Sequence, residues 1–264
     1  MKKSLRVAIS PCPNDTFIWG PLALGEIRTP LRFSFDYEDI QTLNAWAQQG
    51  KADIIKLSFY QFAQLPRGLY RLLPVGAALG ESVGPLLVGR QVLSWAELAE
   101  ASIGLPGFST TAYALFRFYA PHAQRLIALR YDHLIPAVAA GEIDAAVIIH
   151  ESRFTYEAYG LKLIQDLGAY WQAQTGHLVP LGGVAIRKGL WRRPVIRALR
   201  RSLRSAQRHR SARLMAFIGQ YAREISPAIQ IAHIDLYVNR YTYRLGPKGQ
   251  AAIRYFLHWV RTRP

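Results

Sequence analysis

The sequence predicts a mixed α/β fold of two lobes, in which the chain leaves a larger lobe, builds a smaller one and returns. Three observations predict it. Short β-rich runs alternate with helical stretches through the first two-thirds of the 264 residues. That alternation restarts near residue 89 as a second series, and a strand over 181–187 closes it. The last third carries no β-run and reads as helix throughout. The division that follows is a discontinuous large lobe of residues 1–88 plus 187–264 and an inserted small lobe of 89–186, joined at a hinge of two crossing segments.

Taken in order, 5–10 reads as a strand and 16–24 as a helix capped by Asn14 or Asp15. Leu31, Phe33, Phe35 and Tyr37 alternate on one face of the next strand. A short helix over 42–49 ends at Gly50, a strand covers 54–59, a helix 60–65, and β-structure resumes over 70–78. This β-α-β-α-β order predicts a largely parallel sheet with helices on both faces. Residues 84–89 read as a strand leaving the lobe. The second series places a helix from Ser94 to 101, a strand at 102–105, a helix at 110–119, and further elements at 126–130, 133–140, 144–150 and 161–166. Beyond Pro194, Ile196, Leu199 and Leu203, then Leu214, Phe217, Ile218 and Tyr221, fall on helical spacing with Arg on the other faces. Two more helices are expected over 227–238 and 247–260, packing around the first lobe. The layout resembles type 2 periplasmic-binding-protein-like folds, an analogy that gives no function by itself.

Composition narrows the function classes. Half the residues are hydrophobic, enough for real cores, and nothing suggests disorder. The basic start MKKSLR is followed almost at once by Pro11 and Pro13, leaving no room for the apolar core of about 7–15 residues that a secretory leader needs. With no membrane-length apolar run either, the expected location is the cytoplasm. A single cysteine, Cys12, excludes an internal disulfide and a thiolate-rich metal site. It sits between two prolines with no base beside it in sequence, so a packing residue is favoured over a nucleophile. The net charge of +16 falls entirely in the last third, where 18 Lys/Arg face only Glu224 and Asp235. The reading favoured is a solvated, Arg-rich helix with an apolar inner face, so no nucleic-acid partner is expected. Weak association of the basic C-terminal helices with an anionic membrane stands as the alternative.

In open α/β sheets ligands gather at the carboxyl ends of strands, and four segments occupy such places. Ser10-Pro11-Cys12-Pro13-Asn14-Asp15 is a rigid turn that either caps a helix or aims side chains into a cleft. Lys56, Leu57 and Ser58 end a strand whose neighbours look buried; Lys56 and Ser58 share one side and could hold a carboxylate. Gly107 to Thr111 puts three hydroxyls, Ser109, Thr110 and Thr111, at a helix start, where one would suffice as a cap. His150 stands where the apolar run 145–149 gives out, a place for a general base or for a structural histidine. No dinucleotide-binding, Walker A, nucleophile-elbow or H-E-x-x-H pattern occurs, which disfavours nucleotide cofactors, serine hydrolysis and zinc chemistry.

At these same segments the chain resembles the 1,4-dihydroxy-6-naphthoate synthases of menaquinone biosynthesis. The strings that carry the resemblance are SPCPNDTF at 10–17, KLSF at 56–59, G-x-x-x-GPL at 80–86, GFSTTAY at 107–113, IHESRFTY at 149–156, DLGAYWQAQTG at 166–176 and PLGG at 180–183. It is weak across the basic C-terminal helices, and His177 departs from the apolar residue expected there. The resemblance implies a lyase in the futalosine route that converts cyclic dehypoxanthine futalosine, a carboxylated small molecule, without metal or redox cofactor. It further implies His150 as proton acceptor and Lys56, Leu57, Ser58, Thr110 and Thr111 as substrate-binding residues. A non-catalytic solute-binding protein of the same fold is the competing reading; it would need export or an anchor, and has no use for a cleft base.

Overall fold

The computed structural model describes residues 4–222 and 226–262; Glu224, one of the two acids of the basic third, lies outside them. The chain opens with β1 (Leu5–Ile9) and enters α1 (Pro13–Ala23) three residues later. There follow β2 (Phe33–Tyr37), α2 (Ile40–Gln48), β3 (Ile54–Ser58) and α3 (Phe59–Gln64). The β-structure expected over 70–78 is two strands, β4 (Tyr70–Leu72) and β5 (Ala78–Gly80). Gly76 turns the chain between them at φ +84°, and a Cβ there would meet Val184 at 2.7 Å.

The second series is β6 (Leu86–Gly89), α4 (Trp95–Glu100), β7 (Ile103–Leu105), α5 (Thr111–Tyr119), β8 (Leu126–Ala128), α6 (Leu134–Ala140), β9 (Ala145–Ile148) and β10 (Lys162–Asp166). A capping box between Ser94 and Glu97 starts α4 where the sequence placed it. Helix α7 (Leu167–Thr175), which the sequence reading did not mark, is capped by Asp166 and leads to β11 (Val179–Arg187). The chain ends in α8 (Arg192–His209), α9 (Ala212–Tyr221), α10 (Pro227–Tyr237), α11 (Arg240–Tyr243) and α12 (Gly246–Thr262).

Two sheets result. The first runs β2-β1-β3-β11-β4, with β5 also paired to β11; the second runs β10-β6-β9-β7-β8. Pairing is parallel for β2-β1-β3 and for β8-β7-β9, but β11 is antiparallel to β3, β4 and β5, and β6 to β9 and β10. Both sheets are therefore mixed where a largely parallel one was expected, because the strand that crosses into each sheet runs against its neighbours. The crossings lie at 81–85 and 176–178, three residues before the 88/89 division and eight before the 186/187 division, since β6 and β11 pair wholly in the sheet they enter. At the first crossing Gly84 lies against Gly168, where a Cβ would come 2.3 Å from the facing Cα.

Helix α1 is buried along almost its whole length under α8, α9 and α10. Val195, Ala198, Leu199, Leu203 and Ala206 of α8 join Phe17, Ile18 and Trp19 of α1 in one core. Helix α12 packs on α3 and brings Phe256 beside Trp171 of α7. On the opposite side of α8, Arg193, Arg197, Arg200, Arg201, Arg204 and Arg208 fall within an arc of about 100° at 3.6 residues per turn. None of the six forms an ion pair among the described residues; Arg210 pairs with Asp235 and Arg213 with Glu26. No helix among the described residues is long and apolar enough to cross a membrane.

Because backbone faces backbone at the crossing, Gly84→Ala has no flexible atom to push aside. It should lower stability by about 1–3 kcal/mol, read as a fall in the urea midpoint at unchanged slope. A midpoint equal to wild type would show that the two segments are not in contact.

Candidate active site

A cavity of about 100 Å³ lies between the sheets, lined by the β1–α1 loop, the end of β3, the start of α5, the end of β9 and one face of α10. The loop is the first component. Pro13 occupies the opening position of α1, where its fixed φ suits the helix and its missing N–H leaves no orphan. Helix α1 thus begins three residues before the expected start, with Cys12 as a cap residue that makes no side-chain cap bond. Asn14 and Asp15 are not caps. Their side chains turn inward instead, and both are buried.

Asp15 receives Lys56. Its Oδ1 lies 2.5 Å from Lys56 Nζ in an ion pair whose side chains are both about 95% or more buried. Burial raises the Asp15 carboxyl above its ordinary value, and the Lys56 ammonium pulls it back. The β-alternation that put Lys56 and Ser58 on one side is borne out, and both line the cavity. Ser58 is tied to α2: its amide donates to Asn44 Oδ1 at 2.9 Å and its hydroxyl accepts from Asn44 Nδ2 at 3.1 Å. Leu57 points to the other face, into a core with Ala8, Leu43 and Ile55, so only its backbone could serve a ligand.

His150 closes the opposite wall. It follows β9 directly after Ile149 and takes φ +57°, a left-handed conformation that histidine tolerates better than most side chains. This brings its Nδ1 to 3.1 Å from Cys12 Sγ, with Nε2 farther at 3.9 Å. The base that Cys12 lacks in its own sequence neighbourhood arrives from 138 residues away. Ser10 Oγ donates to the same sulfur at 2.8 Å. Burial and the charge of Glu151 push the Cys12 thiol well up, so it stays protonated. Burial, reinforced by Lys56, lowers His150 to about 4, and its imidazole is neutral at pH 7. Cys12, His150 and Glu151 hold their ligand atoms within 4.8 Å of one another. That set could in principle take a metal, but it would need the thiolate that burial and Glu151 disfavour.

A second histidine lies in the same wall and was missed in the sequence. His233 of α10 is 1% exposed, stacks on His150 with ring centres 6.3 Å apart, and lines the cavity with Tyr237. The signal was present: Gln230, His233 and Tyr237 fall on helical spacing and form a buried polar stripe on a helix whose other polar residue, Asp235, pairs with Arg210.

The hydroxyls of the GFSTT segment tie the lobes together. Thr110 caps α5 by accepting from the Tyr113 amide and donates to Gly107 O. Thr111 donates across the cleft to Leu181 O at 2.7 Å and accepts from the Tyr60 amide. Ser109 donates to Gln41, and Asn44 donates to Ser109. Thr110 and Thr111 line the cavity, so of the expected site residues Lys56, Ser58, Thr110, Thr111 and His150 converge there and the Leu57 side chain does not. A volume of about 100 Å³ is below the roughly 300–1,000 Å³ of ordinary ligand pockets, so the cleft is narrow.

The profile of the protein family described as menaquinone biosynthesis matches residues 5–262. The chain belongs to that family. Among its curated relatives, the 1,4-dihydroxy-6-naphtoate synthase of Thermus thermophilus is 41% identical over 254 residues, covering 95% of this chain and 92% of the relative. The enzyme of the same name from Streptomyces coelicolor is 37% identical over 261 residues, covering 95% and 90%. Both bear out the resemblance carried by SPCPNDTF and IHESRFTY, and this member of the menaquinone biosynthesis family is an enzyme. Among solved structures, a protein from Archaeoglobus fulgidus superposes with a TM-score of 0.90 at 30% identity over 98% of this chain and 97% of that one. The alkanesulfonate-binding protein of Xanthomonas axonopodis gives 0.70 at 15%, over 100% and 96%; it shows the fold alone, the periplasmic-binding-protein-like α/β fold.

The buried pair gives this site a measurable signature. Lys56→Met should lower stability by about 3–5 kcal/mol, because it strands the Asp15 carboxylate, whereas Lys56→Met with Asp15→Leu should recover most of that loss. Urea unfolding of both variants checks it, and equal stabilities would mean the two charges are not coupled.

Proposed function

We propose that the cleft carries out the reaction of the curated relatives, forming 1,4-dihydroxy-6-naphthoate from cyclic dehypoxanthine futalosine, with His150 as general base. The observation that carries this reading is a neutral imidazole at a strand end, held against Cys12 in a narrow cavity between the sheets. With Nδ1 turned to the thiol, Nε2 is the nitrogen that meets substrate, and it serves as the base in the tautomer whose Nδ1–H donates to Sγ. His150 takes a hydroxyl proton from the sugar-derived part, and that oxygen becomes a carbonyl of the departing fragment as the carbon–carbon bond breaks. The bond's electron pair and a proton are taken up on the ring side, and aromatisation of the released ring supplies the driving force. The protein's part is to position the base and keep water out. The substrate carboxylate is assigned to the Lys56–Ser58 and Thr110–Thr111 side of the cavity, where the start of α5 offers first-turn amides without intrahelical partners. No cofactor is assigned, and the biosynthetic role is the support for a cytoplasmic location.

The decisive assay incubates the purified chain with cyclic dehypoxanthine futalosine and follows the naphthoate by absorbance and mass. Wild type should form product, and His150→Ala should be slower by at least about 100-fold. No product from folded wild type would overturn the reading; equal rates in the two would move the base elsewhere.

The pH dependence is a separate check. The active form is the neutral imidazole, so kcat/KM should stay level from pH 8 down to about 5 and fall as pH drops through about 4. An acid limb centred near the ordinary histidine value of about 6.5 would show that burial does not act on His150 as described.

A further inference from the structure

The wall opposite the ion pair contains a hydrogen-bond acceptor that the folded chain leaves unused. His233 Nε2 lies 3.0 Å from Asn14 Oδ1, and the orientation of that amide is fixed from its other end. Asn14 Nδ2 donates to Asp15 Oδ1 at 3.2 Å, and the same oxygen accepts from Lys56 Nζ. An ion-paired carboxylate can only accept, so Asn14 must point its NH₂ at Asp15 and its carbonyl oxygen at His233. A carbonyl oxygen can only accept in turn, so Nε2 of His233 carries the proton. Its Nδ1 is then a bare lone pair.

That lone pair has no hydrogen-bond partner among the described residues, although the atom is buried and the residue is 1% exposed. Protonation does not satisfy it, because burial first, then His150 and Lys56, push His233 well below its ordinary value. An acceptor left unpaired at such a depth forgoes a hydrogen bond that a donor arriving with a ligand would restore. The neighbouring wall cannot supply that donor: His150 is turned to Cys12, and Thr110 and Thr111 donate to Gly107 O and Leu181 O.

We infer that His233 is a second substrate-contacting residue, whose Nδ1 accepts a hydrogen bond from a hydroxyl of a polyhydroxylated, sugar-derived substrate. The chain Lys56, Asp15, Asn14 and His233 sets its tautomer, so the buried ion pair reaches the ligand through an oriented amide. This inference rests on the cleft being the substrate site, as proposed above. It adds a specificity contact on α10, in the part of the chain where the family motifs are weak.

Two measurements test it on the whole chain. In ¹⁵N NMR of the ligand-free protein, the His233 ring, assigned by its loss in His233→Phe, should show a proton on Nε2 and a bare Nδ1. A protonated Nδ1 would overturn the inference. In steady-state assays with cyclic dehypoxanthine futalosine, His233→Phe should raise KM about tenfold with kcat within about threefold, and His233→Gln, which restores an acceptor, should recover most of the KM. A merely structural role would lower kcat and the melting temperature without rescue by Gln. Unchanged KM in an active His233→Phe enzyme would overturn the inference while leaving the synthase reading intact. Product absent from wild type would remove both, and the NMR tautomer still decides the relay should His233→Phe fail to fold, with His233→Gln then used for the assignment.

Discussion

Lys56 and Asp15 meet at the centre of the molecule, and most of the site is arranged by their meeting. Two charges withdrawn from water repay their desolvation only when geometry and neighbouring hydrogen bonds are favourable, so such a pair is weak as a stabiliser and strong as a constraint. Here it pins the first turn of α1, which follows β1, to the end of β3, and β1 and β3 are already in parallel register. It sets which way Asn14 points, and through Asn14 the tautomer of His233. Its cation also helps to keep both cavity imidazoles neutral. Removing either charge would change several things that no single contact explains.

The second constraint is closure. Thr111, Ser109, Asn44 and Gln41 spend their hydrogen bonds across the cleft, and Cys12 meets His150 across it as well. A cavity of about 100 Å³ under those ties is small for the proposed substrate, and the chain passes between the sheets only at 81–85 and 176–178, where parting of the lobes would widen it. Gly84 and Gly168 allow the segments beside those crossings to touch backbone to backbone.

How much of this was legible depended on whether the signal was local. The alternation of strands and helices, the Ser94 capping box and the convergence of Lys56, Ser58, Thr110, Thr111 and His150 follow from spacing and strand-end geometry, and they are found. The direction of β11 and β6 was not legible, because pairing sense depends on where a crossing strand lands and not on its residues. Asn14 and Asp15 read as caps because their types suit caps; Pro13 at the first helical position removed that need and left both side chains for the interior. Leu57 travelled with its motif, yet its side chain alternates away from Lys56 and Ser58 into the core. Cys12 and His150, and Asn14 and His233, are pairs 138 and 219 residues apart, which no spacing rule joins.

The fold is shared with an alkanesulfonate-binding protein, so the distinction between binding and catalysis has to come from the site. A site selected only to hold an anion gains from protonated imidazoles, since each adds a charge and a donor. This cavity does the reverse: it surrounds two histidines with apolar walls, sets them near one another and near a cation, and so keeps both uncharged. That arrangement sacrifices anion affinity and leaves proton acceptors facing the ligand. One is aimed by a thiol that burial keeps protonated, the other by an amide that an ion pair keeps oriented. Neutral acceptors in a narrow cleft suit proton transfer and hydroxyl recognition better than they suit anion binding, so the physical argument for an enzyme stands beside the kinship.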